Sequence, residues 1–158
     1  MKKSILFIIC SLQIILIQAQ NKSACDSVYL KTATIIKSDD PCLLAAANYV
    51  LEHPLTDNSS IHGKYMGFIL NWMDKTPEFT FNLQDNVLTL CKDDNLLLFN
   101  IYLASLAKAA IETKKDYIPA ALRLFVTYIE KPENKVKQTS KVRKMIASVK
   151  ENKFEKYQ

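Results

Sequence analysis

Apolar side chains recur at intervals of three and four residues along most of this chain, and that spacing predicts amphipathic helices. The segments with this pattern are 24–37, the stretch from the polar turn at 56–60 to Thr76, 117–131 and 134–152. In the second segment the apolar residues fall within an arc of about 100° on a helical projection. They are Ile61, Tyr65, Phe68, Ile69 and Trp72.

Two further segments, 41–53 and 95–111, are apolar on nearly every side, which is typical of buried helices. The first begins at Pro41, which suits the first turn of a helix, and Pro54 ends it. The second carries one charged residue, Lys108. We expect segment 95–111 to be the central helix of the fold.

Between these helices, residues 78–83 alternate apolar and polar side chains, which predicts a short extended segment lying against the core. A short helix is predicted around 83–91. Only two glycines occur in 158 residues, fewer than sheets with many tight turns normally use. The predicted fold is therefore all-α, a bundle or irregular array of five to six helices.

The first 19 residues have the order of a secretory signal peptide. Lys2 and Lys3 precede an uncharged, largely apolar run, and Gln18-Ala19-Gln20 follows it. The run is about 13 residues long, short of the roughly 20 that a membrane-spanning helix needs. We expect cleavage after Ala19, export to the periplasm or the medium, and a single domain at 20–158.

Basic residues are concentrated at the C-terminal end. Residues 131–158 carry 9 Lys and Arg against 3 Asp and Glu, while residues 20–130 have a net charge of −3. Lys137, Lys141 and Lys144 are predicted to share the outer face of the last helix. They are candidate contacts for an anionic partner, although the sequence alone favours a solvated lysine face. Nucleic acid is a poor candidate, because arginine is scarce and exported proteins rarely meet it.

Three cysteines remain after the predicted cleavage. A disulfide is expected in an oxidising compartment, with one cysteine left over. If 24–37 and 41–53 form an antiparallel hairpin, Cys25 and Cys42 lie about 20 Å apart, beyond the reach of a disulfide. Cys42 and Cys91 stand near the starts of two helices that run parallel in an up-down bundle, so Cys42–Cys91 is the predicted pair.

No motif for catalysis, metal binding or cofactor binding is present in the sequence. His53 and His62 lack the spacing of metal ligands and are predicted to lie at the surface near helix ends. The acidic pairs at 39–40 and 93–94 stand where helices begin, which suits capping. Gly63 and Gly67 form a Gly-x-x-x-Gly motif, for which we expect close packing of a neighbouring helix.

Three stretches resemble a group of secreted helical proteins of Bacteroidota that has no assigned activity. They are FILNWMDKTPEFTF at 68–81, DNLLLFNIYLASLAKAAIE at 94–112 and RLFVTYIEKPENKVK at 123–137. The shared features are a Trp-Met…Thr-Pro…Thr-Phe stretch, an apolar helix and a lysine-rich end. The resemblance implies a helical fold and an envelope or secreted location, and it supplies no functional residue.

Two functions remain open at this point. The first is a non-catalytic binding protein of the cell envelope, whose partner is an anionic envelope component or another protein. The second is a small secreted hydrolase whose site is assembled from dispersed Asp, Glu and His residues. The absence of any catalytic motif favours the first, and we expect no cofactor.

Overall fold

The structure is a computed structural model that describes residues 25, 40–54, 59–81, 83, 85–90 and 96–157. The described residues form six α-helices and no strand, so the all-α prediction is confirmed. The helices are α1 (Asp40–Glu52), α2 (Ser59–Lys75), α3 (Asp85–Leu90), α4 (Leu96–Thr113), α5 (Tyr117–Glu130) and α6 (Ser140–Lys150). Two 3-10 turns, Pro132–Asn134 and Glu155–Tyr157, flank α6. The predicted signal peptide lies outside the described residues, as does the predicted helix at 24–37 apart from Cys25.

Helix α4 is the centre of the fold, as its apolar sequence predicted. It packs against α5, α1 and α2, and α5 in turn packs against α6. Ala104 and Ala107 of α4 are fully buried, and side chains this small allow neighbouring helices to approach closely. None of the described helices combines the length and the apolarity that crossing a bilayer requires.

The one lysine of α4, Lys108, lies at the edge of the contact between α4 and α1. Lys108 donates a hydrogen bond from Nζ to Oδ1 of Asn48, and its Nζ lies 3.6 Å from Oε1 of Glu112. Because both partners reach the same ammonium group, Lys108 is accommodated beside an otherwise apolar interface.

The predicted inner faces of the last two helices are buried. They consist of Leu122, Phe125, Val126 and Ile129 in α5, and Val142, Met145, Ile146 and Val149 in α6. Helix α6 begins at Ser140, however, and not near residue 134 as predicted. Lys135 adopts a left-handed conformation with φ of 50°, which interrupts the helical path. The hydroxyl of Thr139 then caps α6 by accepting a hydrogen bond from the backbone N–H of Val142 at 3.3 Å.

The last described residues pack onto the fold. Phe154 and Tyr157 are each 9% exposed. The guanidinium carbon of Arg123 lies 4.9 Å from the centre of the Phe154 ring, a cation–π contact. Arg123 also donates a hydrogen bond to Oδ1 of Asn152 at 2.9 Å. Residues 152–157 therefore form a C-terminal hook anchored to α5.

The predicted Cys42–Cys91 disulfide is wrong, because Cys42 is bonded to Cys25. The Cα atoms of this pair are 5.3 Å apart. The prediction assumed an antiparallel helical hairpin with the two cysteines at its opposite ends. A Cα separation of 5.3 Å is incompatible with cysteines at opposite ends of such a hairpin. Both cysteines are buried in the core.

The Gly-x-x-x-Gly motif does not receive a neighbouring helix, contrary to the sequence-based expectation. Gly63 and Gly67 lie on the exposed face of α2. No described atom comes within 4 Å of the position that a Cβ would occupy on either glycine. The motif therefore has no packing role among the described residues.

Replacing Gly63 and Gly67 with alanine is expected to stabilise the protein by about 1 kcal/mol at each position. Glycine is about 0.8–1.0 kcal/mol less favourable than alanine inside a helix, and the added methyl groups meet no obstacle. Urea unfolding of the single and double variants measures the change. Ala45→Gly on the exposed face of α1 is the matched control and should destabilise by a similar amount. Destabilisation by the glycine-to-alanine changes would reveal a partner packed on this face.

Candidate functional site

A shallow groove with a basic lining lies between α3, α6 and the C-terminal hook. Its volume is about 250 Å³. We call it the basic groove, and its lining consists of Asn86, Thr89, Leu90, Lys141, Lys144, Lys156 and Tyr157.

Three elements distant in sequence build this groove. Lys141 and Lys144 stand three residues apart on α6, a spacing that puts their Cβ atoms about 5–6 Å apart on one face. Lys156 and Tyr157 come from the 3-10 turn of the hook. Leu90 and Tyr157 are nearly buried and form apolar lining.

One hydrogen bond joins α3 to the hook, and two others stabilise the hook and α3 themselves. The side-chain amide of Asn86 donates from Nδ2 to the backbone oxygen of Lys156 at 2.6 Å. The backbone N–H of Tyr157 donates to the oxygen of Phe154 at 2.7 Å, which closes the turn. The hydroxyl of Thr89 donates to the backbone oxygen of Asp85 at 2.7 Å. The single hydroxyl proton of Thr89 and one of the two N–H groups of Asn86 are thus occupied, and the side-chain oxygens of both residues can accept hydrogen bonds.

The lysines of the basic groove differ from the neighbouring lysines in their partners. Among the described residues, none makes an ion pair or a hydrogen bond to the side chain of Lys141, Lys144 or Lys156. By contrast, Nζ of Lys150 lies 2.6 Å from a carboxylate oxygen of Glu130. Lys150 and Lys153, which have acidic partners, are not part of the groove lining, while the three lysines that line it have no ion pair among the described residues.

Lys153 is a neighbouring lysine whose charge is paired with a carboxylate. Its Nζ lies 2.5 Å from Oε2 of Glu151. The hydrogen bond between them, with their mutual attraction, raises the pKa of Lys153 and lowers the pKa of Glu151. Both groups are fully exposed, so water screens the pair and it adds little to stability. It does neutralise the charge of Lys153, which leaves Lys156 as the uncompensated lysine of the hook.

Of the three lysines that the sequence analysis selected, two line the basic groove and one does not. Lys141 and Lys144 both line the basic groove. Lys137 precedes α6 and is not part of the lining, because the helix begins six residues later than predicted. Sequence reasoning missed Lys156, although its position between Phe154 and Tyr157 in an otherwise polar tail was a signal that these residues are anchored.

The two histidines meet at one tyrosine, and the prediction that both lie at the surface is wrong for His62. That residue is 4% exposed, and its ring lies edge-on to Tyr49 with centroids 5.4 Å apart. His53 stacks on the same tyrosine at 4.1 Å and is half-buried. Within the described ranges, no group of three or more His, Cys, Asp or Glu residues is placed to hold a metal ion.

A second aromatic cluster lies where the predicted extended segment crosses the fold. Phe79 and Phe81 are half-buried beside Trp72, and Tyr117 closes the cluster. The hydroxyl of Tyr117 donates to the backbone oxygen of Thr80 at 2.7 Å, and partial burial raises the pKa of that hydroxyl. These rings contact the core and one another, so we assign them to packing.

The basic groove is therefore the described surface whose chemistry points to a ligand. It offers three ammonium groups, two acceptor oxygens and an apolar lining, which together suit a small anion carried on a larger molecule. It contains neither a nucleophile paired with a base nor a pair of carboxylates. No protein family, curated protein or solved structure matches this chain, so the interpretation depends on its own residues.

Proposed function

We propose that this chain is an exported, non-catalytic binding protein of the cell envelope, and that it holds an anionic group in the basic groove. The observation that carries the proposal is the convergence of Lys141, Lys144 and Lys156 on one cavity without acidic partners. A positively charged concave surface concentrates anionic partners and speeds their association.

Export is supported by two independent features. The first 19 residues have the charged, apolar and small-polar order of a signal peptide. The Cys25–Cys42 disulfide is of a kind that persists in oxidising compartments and is rare in the cytosol. The net charge of +6 over residues 131–158 suits a partner in the anionic envelope.

Exchanging the three groove lysines for glutamine is expected to reduce retention on anionic vesicles about 100-fold at low salt. Each lysine near an anionic surface contributes about 1 kcal/mol, and three such losses correspond to about two orders of magnitude in affinity. The measurement is cosedimentation of the purified protein with vesicles that contain phosphatidylglycerol, and neutral vesicles provide the baseline.

The matched control removes the same charge elsewhere. Lys64, Lys115 and Lys135 are exposed and lie outside the basic groove. Their triple exchange to glutamine should reduce retention less than tenfold, because it alters only the overall field. The single variant Lys156→Gln should weaken binding more than Lys137→Gln. Equal losses in the two triple variants would show that general charge, and not the groove, binds the vesicle.

A further inference from the structure

The geometry points to the phosphomonoester of a sugar or polyol as the group that the basic groove binds. This inference depends on the proposed anion-binding function and narrows it to one chemical class. Three properties of the groove carry it: the number of positive charges, the elements from which they come, and the acceptor oxygens among the lining residues.

The charge favours a dianion. Three lysines without acidic partners line the cavity. A phosphomonoester carries about −1.5 to −2 charges at neutral pH, whereas a carboxylate or a phosphodiester carries one. Because Coulombic attraction scales with the product of the charges, a phosphomonoester gains almost twice as much from the same three lysines.

The arrangement of the lysines favours a tetrahedral group over a planar one. Lys141 and Lys144 approach from α6, and Lys156 approaches from the hook. A phosphomonoester has three terminal oxygens that point in different directions, so each ammonium group can meet one of them. Carboxylates are matched best by the planar fork of arginine. No arginine lines the groove, and Arg143 donates to the backbone oxygen of Gln138 at 2.6 Å.

The uncharged residues of the groove suit the sugar or polyol portion of such a ligand. Thr89 already donates its hydroxyl proton to a backbone oxygen, and Asn86 donates one of its two amide protons, so each residue still offers a side-chain oxygen as an acceptor. A phosphate dianion has no proton to give them, whereas the hydroxyl groups of a sugar or polyol do. Leu90 and Tyr157 supply apolar lining for a ring face. The volume of about 250 Å³ lies below the roughly 300–1,000 Å³ of common ligand pockets, so a single headgroup fits.

The test compares glucose 1-phosphate with glucuronate and glycerophosphoglycerol, by calorimetry on the purified protein. These three probes are a sugar phosphomonoester, a sugar carboxylate and a polyol phosphodiester. We expect glucose 1-phosphate to bind at least tenfold more tightly than either of the others. Thr89→Val should lower the affinity for glucose 1-phosphate several-fold and leave the affinity for inorganic phosphate unchanged.

The pH dependence provides a second readout. The second proton of a phosphomonoester leaves near pH 6, so its affinity should rise between pH 5.0 and 7.5 as the dianion forms. Glycerophosphoglycerol keeps one charge throughout and controls for titration of the protein. The charged and titratable residues that line or flank the groove are Lys141, Arg143 and Lys144 on α6, Asp85 on α3, and Glu155, Lys156 and Tyr157 on the hook.

Competition with vesicles identifies the source of the phosphomonoester. Displacement of the protein from phosphatidate vesicles by glucose 1-phosphate supports a lipid-linked source, and binding of the soluble probe without vesicle retention supports a free one. Equal affinity for the three probes with no rise in affinity with pH would overturn this inference. The proposed function would survive that result if vesicle retention still depends on Lys141, Lys144 and Lys156, and it fails if their exchange changes neither measurement.

Discussion

Replacing Cys25 and Cys42 with serine is expected to destabilise the folded protein by about 3 kcal/mol. The bond joins residues 17 positions apart, and closing a loop of about 15 residues removes roughly 3 kcal/mol of conformational entropy from the unfolded chain. Both sulfur atoms are also in the core, where two serine hydroxyls would lose hydrogen bonds to water. Urea unfolding of the double variant against the wild-type protein measures the difference.

Reduction provides the control for this prediction. Dithiothreitol should lower the unfolding free energy of the wild-type protein towards that of the double variant, and it should leave the variant almost unchanged. Peptide mapping under non-reducing conditions must find Cys25 linked to Cys42. A Cys42–Cys91 peptide, or equal stability of wild type and variant, would show that the assignment is wrong.

Leu106→Ala in the central helix is expected to destabilise the protein by about 2–5 kcal/mol. Leu106 is 1% exposed, and its truncation removes buried apolar contacts and leaves a cavity in the middle of the packed helices. Since a domain of this size is stable by only about 5–15 kcal/mol, the variant should unfold at a markedly lower urea concentration.

Leu97→Ala is the matched control, because it makes the same change in the same helix. Leu97 is 55% exposed, so its truncation should cost less than about 1 kcal/mol. Equal losses in the two variants would contradict the central position of α4. A destabilising Leu97 variant alone would indicate that another molecule covers this residue.

The helices could be predicted because their signals are local. Periodic apolar residues give the inner faces of α5 and α6, and prolines and capping residues give most boundaries within a few positions. The late start of α6 could not be predicted, since Lys135 adopts its left-handed conformation without a glycine or asparagine to signal it. The outward direction of Gly63 and Gly67 could have been predicted, because both lie opposite the apolar arc of α2 on a helical projection, and the expected packing of a neighbouring helix overlooked this.

The disulfide and the basic groove could not be predicted because both depend on how distant elements meet. The wrong pairing followed from assuming that consecutive helices form a regular up-down bundle. The groove needs Asn86 of α3 to meet Lys156 of the hook, 70 positions away in the chain. Only two of its lysines, Lys141 and Lys144, lie on the same helix. Helical spacing therefore led the sequence analysis to group Lys137 with them and to omit Lys156 of the hook.

The packing of the hook explains why the groove exists at all. Arg123 donates a hydrogen bond to Asn152 and makes a cation–π contact with Phe154. These contacts place the following turn beside α3. Tyr157 then contributes apolar lining, and Lys156 contributes the third charge. The site is thus a consequence of the anchoring of Phe154 and Tyr157 to the fold.

The central claim is that the basic groove is the anion-binding site of this protein. Backbone amide chemical shifts, recorded while glucose 1-phosphate is added, test it without any substitution. The account predicts saturable changes centred on residues 86–90, 141–144 and 156–157. Shifts spread over lysines across the whole surface, or no saturation at millimolar probe, would contradict it.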